Sequence, residues 1–233
     1  MTIAVMQPYI FPYIGYFQMI KAVDTFVFYD DVNFIKKGWI NRNRILVNGN
    51  DYTFTVPMQK VSQNNLILES FIHSELYPEW KTKFLQTLSS YKKAPFYNEI
   101  QPFIQNLLDT EYNSISELAI RSIVEISKYL GLTTKFKKSS ESYQNRGMER
   151  QERLIDICKK ENATHYINAL GGQELYQKED FQKEGIGLNF IKSKPIVYKQ
   201  FKNEFVPWLS IIDVLMFNSK EETLKLLDKY ELI

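Results

Sequence analysis

The sequence predicts an α/β fold built on a parallel sheet, and three observations support this. Short apolar runs alternate with amphipathic stretches at residues 3–29, and the same alternation returns at residues 133–191. Such alternation is typical of β-strands joined by crossover helices, which produces a parallel sheet. Polar residues follow several of the apolar runs directly, at the sheet edge where open α/β folds bind ligands.

The first unit consists of a strand, a loop, a helix and a second strand. Ile3–Met6 and Thr25–Tyr29 are predicted as buried strands, and Phe17–Val23 as the start of a helix. About 30 residues is the length of a βαβ unit, whose right-handed crossover buries both strands. The connecting loop is rich in aromatic residues and contains Pro8 and Pro12. Loops at this place in the fold often hold functional residues.

Several side chains of this unit are candidates for a site. Gln7 is a polar residue directly after a strand, and Asp30 and Asp31 follow the second strand. Gly15 would let the backbone approach a ligand closely. A structural role for the loop is the alternative, because aromatic residues beside a strand usually belong to the core. The aromatic candidates of the loop are Tyr9, Tyr13 and Tyr16.

A basic stretch and a hairpin come next. Asn48-Gly49 between the apolar runs Ile45–Val47 and Tyr52–Val56 predicts a β-hairpin. The residues before it offer cations and amides for a phosphate or carboxylate. A solvated edge that prevents aggregation is the alternative, and we favour a functional site at Asn41–Asn43, where two amides flank an arginine. The polar members of the stretch are Lys36, Lys37, Asn41, Arg42, Asn43 and Arg44.

The middle of the chain is predicted to be helical. One amphipathic helix begins near Pro78, a second covers Asn98–Leu108, and a third covers Ser114–Leu130. The third has a capping-box pattern at its start and a glycine after its end. The sequence therefore predicts a single domain over residues 1–233, in which residues 70–132 form a mainly helical inserted lobe.

Strands at residues 133–137, 164–168 and 188–191 alternate with predicted helices at 149–160 and 174–183. The carboxyl ends of parallel strands lie at one edge of a sheet. We therefore expect the polar residues at the strand ends to lie together. These residues are Gln7, Asp30, Asp31, Ser139, Ser140 and Asn168.

Two further pairs of residues are candidates. Gly171 and Gly172 precede a predicted helix, where backbone amides have room to meet an anion. Ser210 and Asp213 interrupt the apolar segment at residues 205–217. Ser210 is interpreted either as a helix cap or as part of a site to which Asp213 contributes a carboxylate.

Composition excludes several classes of function. The chain has 233 residues and a net charge of +2, which gives no strong signal for nucleic acid. No run approaches the roughly 20 apolar residues that span a bilayer, and no secretory signal is visible, so a cytoplasmic location without membrane insertion is predicted. Two histidines and one cysteine at unrelated positions predict no metal site. Cys158, within a predicted helix, is expected to be a buried structural thiol.

The collected motifs resemble the WbqC-like family, which is named from proteins of bacterial surface-polysaccharide clusters. The matching segments are Met6–Tyr9, Pro12–Tyr16, Trp39–Ile45, Thr55–Pro57, Tyr91–Pro95, Arg153-Leu154, Tyr166–Gly172 and Leu209–Asp213. The resemblance implies an enzyme of O-antigen or related glycan assembly that transfers glycine or another acyl group to an amino sugar. Asn168–Gly172 departs from the small-residue turn that the family pattern leads us to expect.

A second resemblance is to nucleotidyltransferases that have a His-x-Gly-His loop after the first strand. Tyr13-Ile14-Gly15-Tyr16 occupies this place with tyrosines instead of both histidines. Tyrosine donates a hydrogen bond but has no positive charge at neutral pH. The resemblance implies a Rossmann-like parallel sheet in a nucleotidyltransferase-like arrangement, with a β-hairpin and the helical lobe added. The positive charges of the two histidines, which support adenylyl transfer in that superfamily, are absent from this loop.

Our leading functional hypothesis is acyl or aminoacyl transfer, such as glycyl transfer, to the amino group of a nucleotide-linked amino sugar. The alternatives are an ATP-dependent enzyme that activates a carboxylate or transfers a nucleotidyl group, and a non-catalytic protein that binds a sugar nucleotide. The partners would be the nucleotide-linked amino sugar and an acyl or aminoacyl donor, and the sequence identifies no cofactor. The catalytic candidates are Asp30 or Asp31 as the base and Gln7 as an orienting group. The substrate-binding candidates are Tyr9, Tyr13, Gly15, Tyr16, Lys37, Asn41, Arg42, Asn43, Asn168, Gly171, Gly172, Ser210 and Asp213.

Overall fold

A six-stranded sheet lies at the centre of the computed structural model, which describes residues 1–233. The strands are β1 (Thr2–Met6), β2 (Thr25–Phe28), β3 (Arg42–Val47), β4 (Asn50–Thr55), β5 (Lys135–Lys138), β6 (His165–Ala169), β7 (Gly187–Ser193) and β8 (Tyr230–Leu232). The order in the central sheet is β5-β2-β1-β6-β7-β8. All neighbouring pairs are parallel except β7 and β8. The predicted Rossmann-like parallel sheet is therefore confirmed.

The order of the strands reverses between β1 and β6. The chain builds β1, β2 and β5 on one side of the sheet, then returns past β1 to add β6 and β7. This reversal is a topological switch point, and ligands of open α/β sheets bind at the carboxyl ends of the strands there. Ile3 lies opposite Tyr166 in register. One sheet thus joins the strands of residues 1–29 to those of residues 133–192, as expected. The expectation that this sheet also includes the hairpin, up to residue 56, was wrong, because β3 and β4 pair only with each other.

Nine α-helices surround the sheet, with further 3-10 turns at Leu88–Tyr91 and Leu170–Gly172. The helices are α1 (Ile14–Lys21), α2 (Tyr77–Thr87), α3 (Tyr97–Asp109), α4 (Ile115–Leu130), α5 (Ser139–Ser142), α6 (Arg150–Lys160), α7 (Lys178–Lys183), α8 (Ile211–Phe217) and α9 (Lys220–Leu227). The capping box predicted at the start of α4 is present, formed by Ser114 and Glu117. None of these helices has both the length and the apolar content needed to cross a bilayer.

The alternating side chains of the strands face two separate cores. Ile3, Val5 and Val27 belong to a cluster of 13 buried residues that also includes apolar residues of α6 and α7. Ala4 and Phe26 point to the other face and join a cluster of 41 buried residues, which extends through α1 and the helical segment α2–α4. Both faces of the sheet are therefore covered, as a parallel sheet requires.

Cys158 lies in the smaller of these two cores. It is fully buried and free, as predicted. Burial raises the pKa of its thiol to about 12. The thiol is therefore protonated at neutral pH and acts as a small apolar side chain.

Strands β3 and β4 form a separate two-stranded hairpin. Asn48 and Gly49 both have positive φ angles, of 52° and 81°. A type I′ turn requires this conformation at its two central residues, and Asn-Gly is the pair that adopts it most readily. The predicted hairpin is confirmed, and Ile45, Leu46 and Phe54 anchor it in the larger core.

Two elements near the C-terminus differ from the sequence prediction. The helix expected over residues 174–183 begins only at Lys178. Tight turns between residues 170 and 175 precede it, and Gln177 is extended, with its backbone N–H donating to the side-chain oxygen of Gln151. Strand β8 was not predicted, since three residues have no periodicity of their own. Its pairing depends on β7, where Ile191 lies opposite Leu232.

Candidate functional site

A cleft of about 630 Å³ opens at the carboxyl ends of β1, β2 and β6. Its floor includes Gln7 after β1, Asp31 after β2 and Asn168 in β6. The cleft therefore lies at the topological switch point of the sheet, the usual binding site in this architecture. Its volume is within the range of small-molecule sites, about 300–1,000 Å³.

A buried ion pair joins two of the elements that surround the cleft. The Arg153 guanidinium lies 2.5 Å from Asp31 Oδ2, and the two side chains are only 4% and 9% exposed. Arg153 also donates to Asn145 Oδ1 at 2.9 Å and to Ser139 Oγ at 3.0 Å. The guanidinium lies 4.5 Å from the ring centroid of Tyr29. These contacts hold α6 against the carboxyl end of β2.

The other carboxylate oxygen of Asp31 is unsatisfied. Asp31 Oδ1 is buried and accepts no hydrogen bond from the protein. Leaving a buried polar atom without a partner costs about 1–3 kcal/mol, and more for a charged group, so native structures rarely retain one without a reason. Because Asp31 borders the cleft, a bound N–H or O–H group is a natural partner for this oxygen.

Two arginines of the cleft remain free of protein partners. Arg146 and Arg150 line the cleft, and neither takes part in any of the ion pairs or side-chain hydrogen bonds that join the rest of the chain. Arg150 and Tyr176 line the same cleft. Burial raises the pKa of the Tyr176 phenol, and the positive charge of Arg150 partly offsets this rise. Unpaired guanidinium groups are well suited to bind phosphate or carboxylate.

The amide side chains of the cleft also retain free hydrogen-bonding groups. Gln7 Oε1 accepts from the Tyr9 hydroxyl at 3.3 Å, whereas its amide nitrogen donates to no protein atom. Asn168 Oδ1 accepts from the following backbone N–H at 2.7 Å. A Cβ at Gly172 would lie 2.6 Å from Asn168 Nδ2, so any other residue at this position would displace the Asn168 amide. The cleft thus has amide donors that a ligand can use.

The structure brings together five of the predicted site residues. The five that line the cleft are Gln7, Asp31, Asn168, Gly171 and Gly172. The other predicted residues lie outside it, and most of them have their polar groups occupied by the protein.

Asp30 contacts the protein with both carboxylate oxygens. Its Oδ1 accepts from the Ser140 backbone N–H at 3.0 Å and its Oδ2 from the Ser140 hydroxyl at 2.6 Å. Burial raises the pKa of Asp30, and the hydrogen bonds from Ser140 partly offset this. Asp30 therefore fastens the end of β2 to α5, and of the two aspartates only Asp31 lines the cleft.

The side chains of the basic stretch, which includes the first residues of β3, likewise donate to protein carbonyls. The Asn41 amide donates to a carbonyl of the neighbouring chain segment at 3.1 Å, and the Asn43 amide donates to two carbonyls of the opening loop at 3.1 and 2.8 Å. Arg42 donates to the carbonyl oxygens of Gly38, at 2.9 Å, and Lys37. None of these residues lines the cleft at the strand ends. Their donors hold the loop and the hairpin in place.

The loop after β1 and the first turn of α1 support Gln7 from behind. Gly15 and Tyr16, which were predicted to lie in the loop, belong to α1. The buried Tyr16 hydroxyl donates to the Gln7 carbonyl at 2.8 Å, and the Tyr9 hydroxyl donates to the Gln7 side chain. Gly15 allows the Tyr13 ring to pack close to the backbone, because a Cβ there would lie 2.3 Å from a ring carbon. Tyr9 and Tyr13 line a separate aromatic cavity.

Ser210 and Asp213 belong to the interior. Ser210 caps α8, with its hydroxyl accepting from the Ile212 N–H at 3.2 Å and donating to the Phe11 carbonyl at 2.7 Å. The Asp213 side chain is fully buried, and burial raises the pKa of its carboxyl. It accepts hydrogen bonds at 2.6–2.7 Å from the side chains of Tyr91, Tyr198 and Gln200.

The sequence did not single out Arg146, Arg150, Tyr29 or Tyr176 as site residues. One signal was available for Arg153, which lies at helical spacing i, i+4 from the inward Ile157. A charged residue on the buried face of a helix needs a partner. No comparable pattern indicates Arg146 and Arg150, since they belong to a loop and to the first turn of α6.

The structure is that of a Rossmann-like α/β protein with an arginine-lined cleft at the strand crossover. The chain belongs to the WbqC-like protein family, whose model matches residues 7–225. The family resemblance predicted from the motifs is therefore confirmed. No group of three or more histidine, cysteine, aspartate or glutamate side chains is placed to hold a metal ion.

A relative from Mycobacterium tuberculosis (strain H37Rv), the uncharacterized protein Rv1507c, is 30% identical to this chain over 220 residues. The matched region covers 93% of both chains, so the two proteins are similar over nearly their full lengths. No solved structure matches the chain significantly.

Proposed function

We propose that the protein transfers an acyl or aminoacyl group, such as glycyl, to the amino group of a nucleotide-linked amino sugar in surface-glycan assembly, including that of O-antigen. The observation that supports this most strongly is the pair of unpartnered arginines beside the polar floor of the cleft. The transfer chemistry is taken from the family resemblance. As the sequence predicted, we place the reaction in the cytoplasm.

In this proposal, Arg146 and Arg150 bind the diphosphate of the sugar nucleotide. No carboxylate of the protein competes with the diphosphate for these two guanidinium groups. Arg153, in contrast, is paired with Asp31. Tyr29 and Tyr176 line the same cleft and would form its aromatic walls. Charge-assisted hydrogen bonds from arginine to phosphate are short and strong.

In this proposal, Asp31 would deprotonate the reacting amine and Gln7 would orient it. The amine nitrogen attacks the carbonyl carbon of the donor, an amide bond forms, and the bond from the carbonyl carbon to the leaving group breaks. Asp31 Oδ1, which has no protein partner, accepts the proton released by the amine and returns it to the leaving group. Gln7 and Asn168 orient the reactants by hydrogen bonds. Asp30 acts only as a positioning residue for this carboxylate.

Adenylyl or nucleotidyl transfer receives less support. The tyrosines that replace the paired histidines of nucleotidyltransferases are not part of the cleft. Tyr16 is buried and donates to a backbone carbonyl, and Tyr13 faces another cavity. A triphosphate in the cleft would gain no contact from either residue.

Mass spectrometry of a panel of nucleotide-linked amino sugars tests the proposal. Each sugar is incubated with the protein and with a thioester or aminoacyl-tRNA donor, with and without ATP. We expect the mass of one sugar nucleotide to increase by one acyl group in the absence of ATP. Pyrophosphate release that requires ATP would indicate the activating enzyme instead, and tight binding without turnover would indicate a binding protein.

A variant of a cleft residue is compared with a control variant outside the cleft. Asp31→Asn also removes the carboxylate that pairs with Arg153, so its free energy of unfolding is measured beside its activity. The folded variant should bind the sugar nucleotide but lose turnover, because the amide cannot accept the amine proton. Arg121→Gln serves as a control, since Arg121 pairs with Glu125 on α4, away from the cleft. If Asp31→Asn retained full turnover, Asp31 would not be the base.

A further inference from the structure

We infer that a second cavity, the aromatic pocket, binds a pyranose ring of a saccharide. This pocket has a volume of about 200 Å³ and lies beside the opening loop. Its walls are formed by Tyr9, Tyr13, Trp39 and Trp208, and Arg44 provides a polar edge. Its volume is below the usual range for drug-sized ligands, about 300–1,000 Å³, and is suited to a single ring. The inference does not rest on the proposed transfer reaction.

Trp208 is held over the pocket by a strained backbone. It has a φ angle of +61°, in the left-handed region that bulky residues rarely adopt. Its side chain is nevertheless 63% exposed, so core packing does not explain the conformation. The Trp208 carbonyl accepts from Arg44 at 3.2 Å, and the Arg44 carbonyl accepts from the Ser210 N–H at 2.8 Å. Backbone strain that presents an exposed aromatic residue is typical of a ligand site.

Trp39 is fixed on the other side of the pocket. The guanidinium carbons of Arg42 and Arg44 lie 5.4 and 5.6 Å from its ring centroid, within the range of cation–π contacts. Trp39 is 42% exposed. Both indoles are therefore positioned before any ligand binds, which lowers the entropic cost of binding.

The ring geometry favours a sugar over a flat base. The rings of Tyr13 and Trp208 lie 6.0 Å apart at an angle of 61°, so they leave no parallel slot in which a nucleobase would stack on both. A pyranose ring is thicker and has an apolar C–H face beside a rim of hydroxyl groups. The C–H face fits against an indole. The rim can bond to the Tyr13 hydroxyl and to those N–H groups of Arg44 that do not donate to Asp51 or to the Trp208 carbonyl.

The aromatic pocket is close to the cleft at the strand ends. Tyr9 lines the pocket, and its hydroxyl donates to the side chain of Gln7, which lines the cleft. A hydrogen bond therefore connects a lining residue of the pocket with a lining residue of the cleft. A saccharide in the pocket would lie beside whatever ligand the cleft binds.

Tryptophan fluorescence tests this inference with the full chain. The protein has three tryptophans, of which Trp80 stacks on Phe84 at 5.3 Å in the helical segment, outside the pocket. In a Trp80→Phe background, we expect titration with the methyl glycoside of glucosamine to give a saturable change in emission. Trp208→Ala should weaken this binding at least about tenfold, the equivalent of 1.4 kcal/mol, while the far-ultraviolet circular dichroism remains unchanged.

A second variant and a second probe make the result decisive. Trp39→Leu should also weaken binding of the glycoside, and it covers the case in which Trp208→Ala fails to fold. Saturable binding of adenosine without binding of the glycoside would overturn the inference in favour of a base site. Absence of any saturable change with the glycoside, or glycoside binding that persists in both folded variants, would also overturn it.

Discussion

Two arginine-rich segments of the chain differ in what their guanidinium groups contact. In the segment that leads into β3 and includes its first residues, Arg42 donates to backbone carbonyls and Arg44 pairs with Asp51 and a further carbonyl. In the segment that leads into α6, Arg153 is buried against Asp31, whereas Arg146 and Arg150 contact no protein acceptor and face the cleft.

An arginine is available to a ligand only when its own chain leaves N–H groups free. Both segments contain several cations and amides, and both follow a strand of the central sheet. Only the second has unpaired arginines that line the cleft at the topological switch point. The following predictions test this distinction.

The largest effect is expected for Arg153→Met. It removes one partner of a buried ion pair and leaves the Asp31 carboxylate without compensation, which costs about 3–5 kcal/mol. Urea denaturation measures the loss in the free energy of unfolding. The double variant Asp31→Leu, Arg153→Met should recover most of this loss, because it leaves no buried charge. If Arg153→Met were as stable as the wild type, Arg153 would belong with the free arginines.

The second prediction concerns Arg146 and Arg150. Replacement of either by glutamine should weaken binding of a nucleotide-linked amino sugar by roughly 1.5–3 kcal/mol, the scale of a charged hydrogen bond. Calorimetric titration measures the change, with Arg121→Gln as the control. Because neither guanidinium has a protein partner, the free energy of unfolding should stay within about 0.5 kcal/mol of the wild type. A large loss of stability with unchanged affinity would show that the arginine stabilises the fold and does not bind the sugar nucleotide.

Gln7→Leu should give a smaller effect. Leucine keeps the approximate size of glutamine but removes its hydrogen bonds, so we expect a loss of about 1–1.5 kcal/mol in transition-state binding, close to a tenfold reduction in kcat/KM. The melting temperature should change little, because the protein itself makes only one long hydrogen bond to the side chain, at 3.3 Å. A variant that lost several degrees of thermal stability but kept its specific activity would identify Gln7 as a structural amide.

The smallest effect is expected for Arg42→Gln. The variant loses donors to the carbonyls of Lys37 and Gly38 and a cation–π contact with Trp39, which should reduce the free energy of unfolding by about 1 kcal/mol. Affinity for the sugar nucleotide should not change. A drop in affinity at unchanged stability would move the anion site to the hairpin segment, as the sequence first suggested.

Most of the fold was predictable because local patterns determine it. The alternation of strands and helices predicted the parallel sheet, and Asn48-Gly49 predicted the hairpin, since few other pairs adopt positive φ at both positions. The order of the strands was not predictable from periodicity, because it depends on where each crossover returns. Strand β8 was missed for a related reason, since three residues become a strand only by pairing with β7.

The site was predictable in part. Gln7, Asp31 and Asn168 follow or end strands, and that position alone indicates the ligand edge of an α/β sheet. The sequence shows that Arg42 can donate hydrogen bonds. It does not show that the guanidinium already donates to backbone carbonyls of the protein. Arg146 reaches the cleft only because the chain after β5 folds back over the strand ends, a path that no local pattern determines.

A crystal structure of the protein soaked with uridine diphosphate tests the central distinction most directly. We predict that the diphosphate lies in the cleft, with its oxygens about 2.7–3.0 Å from the guanidinium nitrogens of Arg146 and Arg150. A diphosphate bound instead against Lys37 and Arg42, with the cleft free of it, would contradict the account.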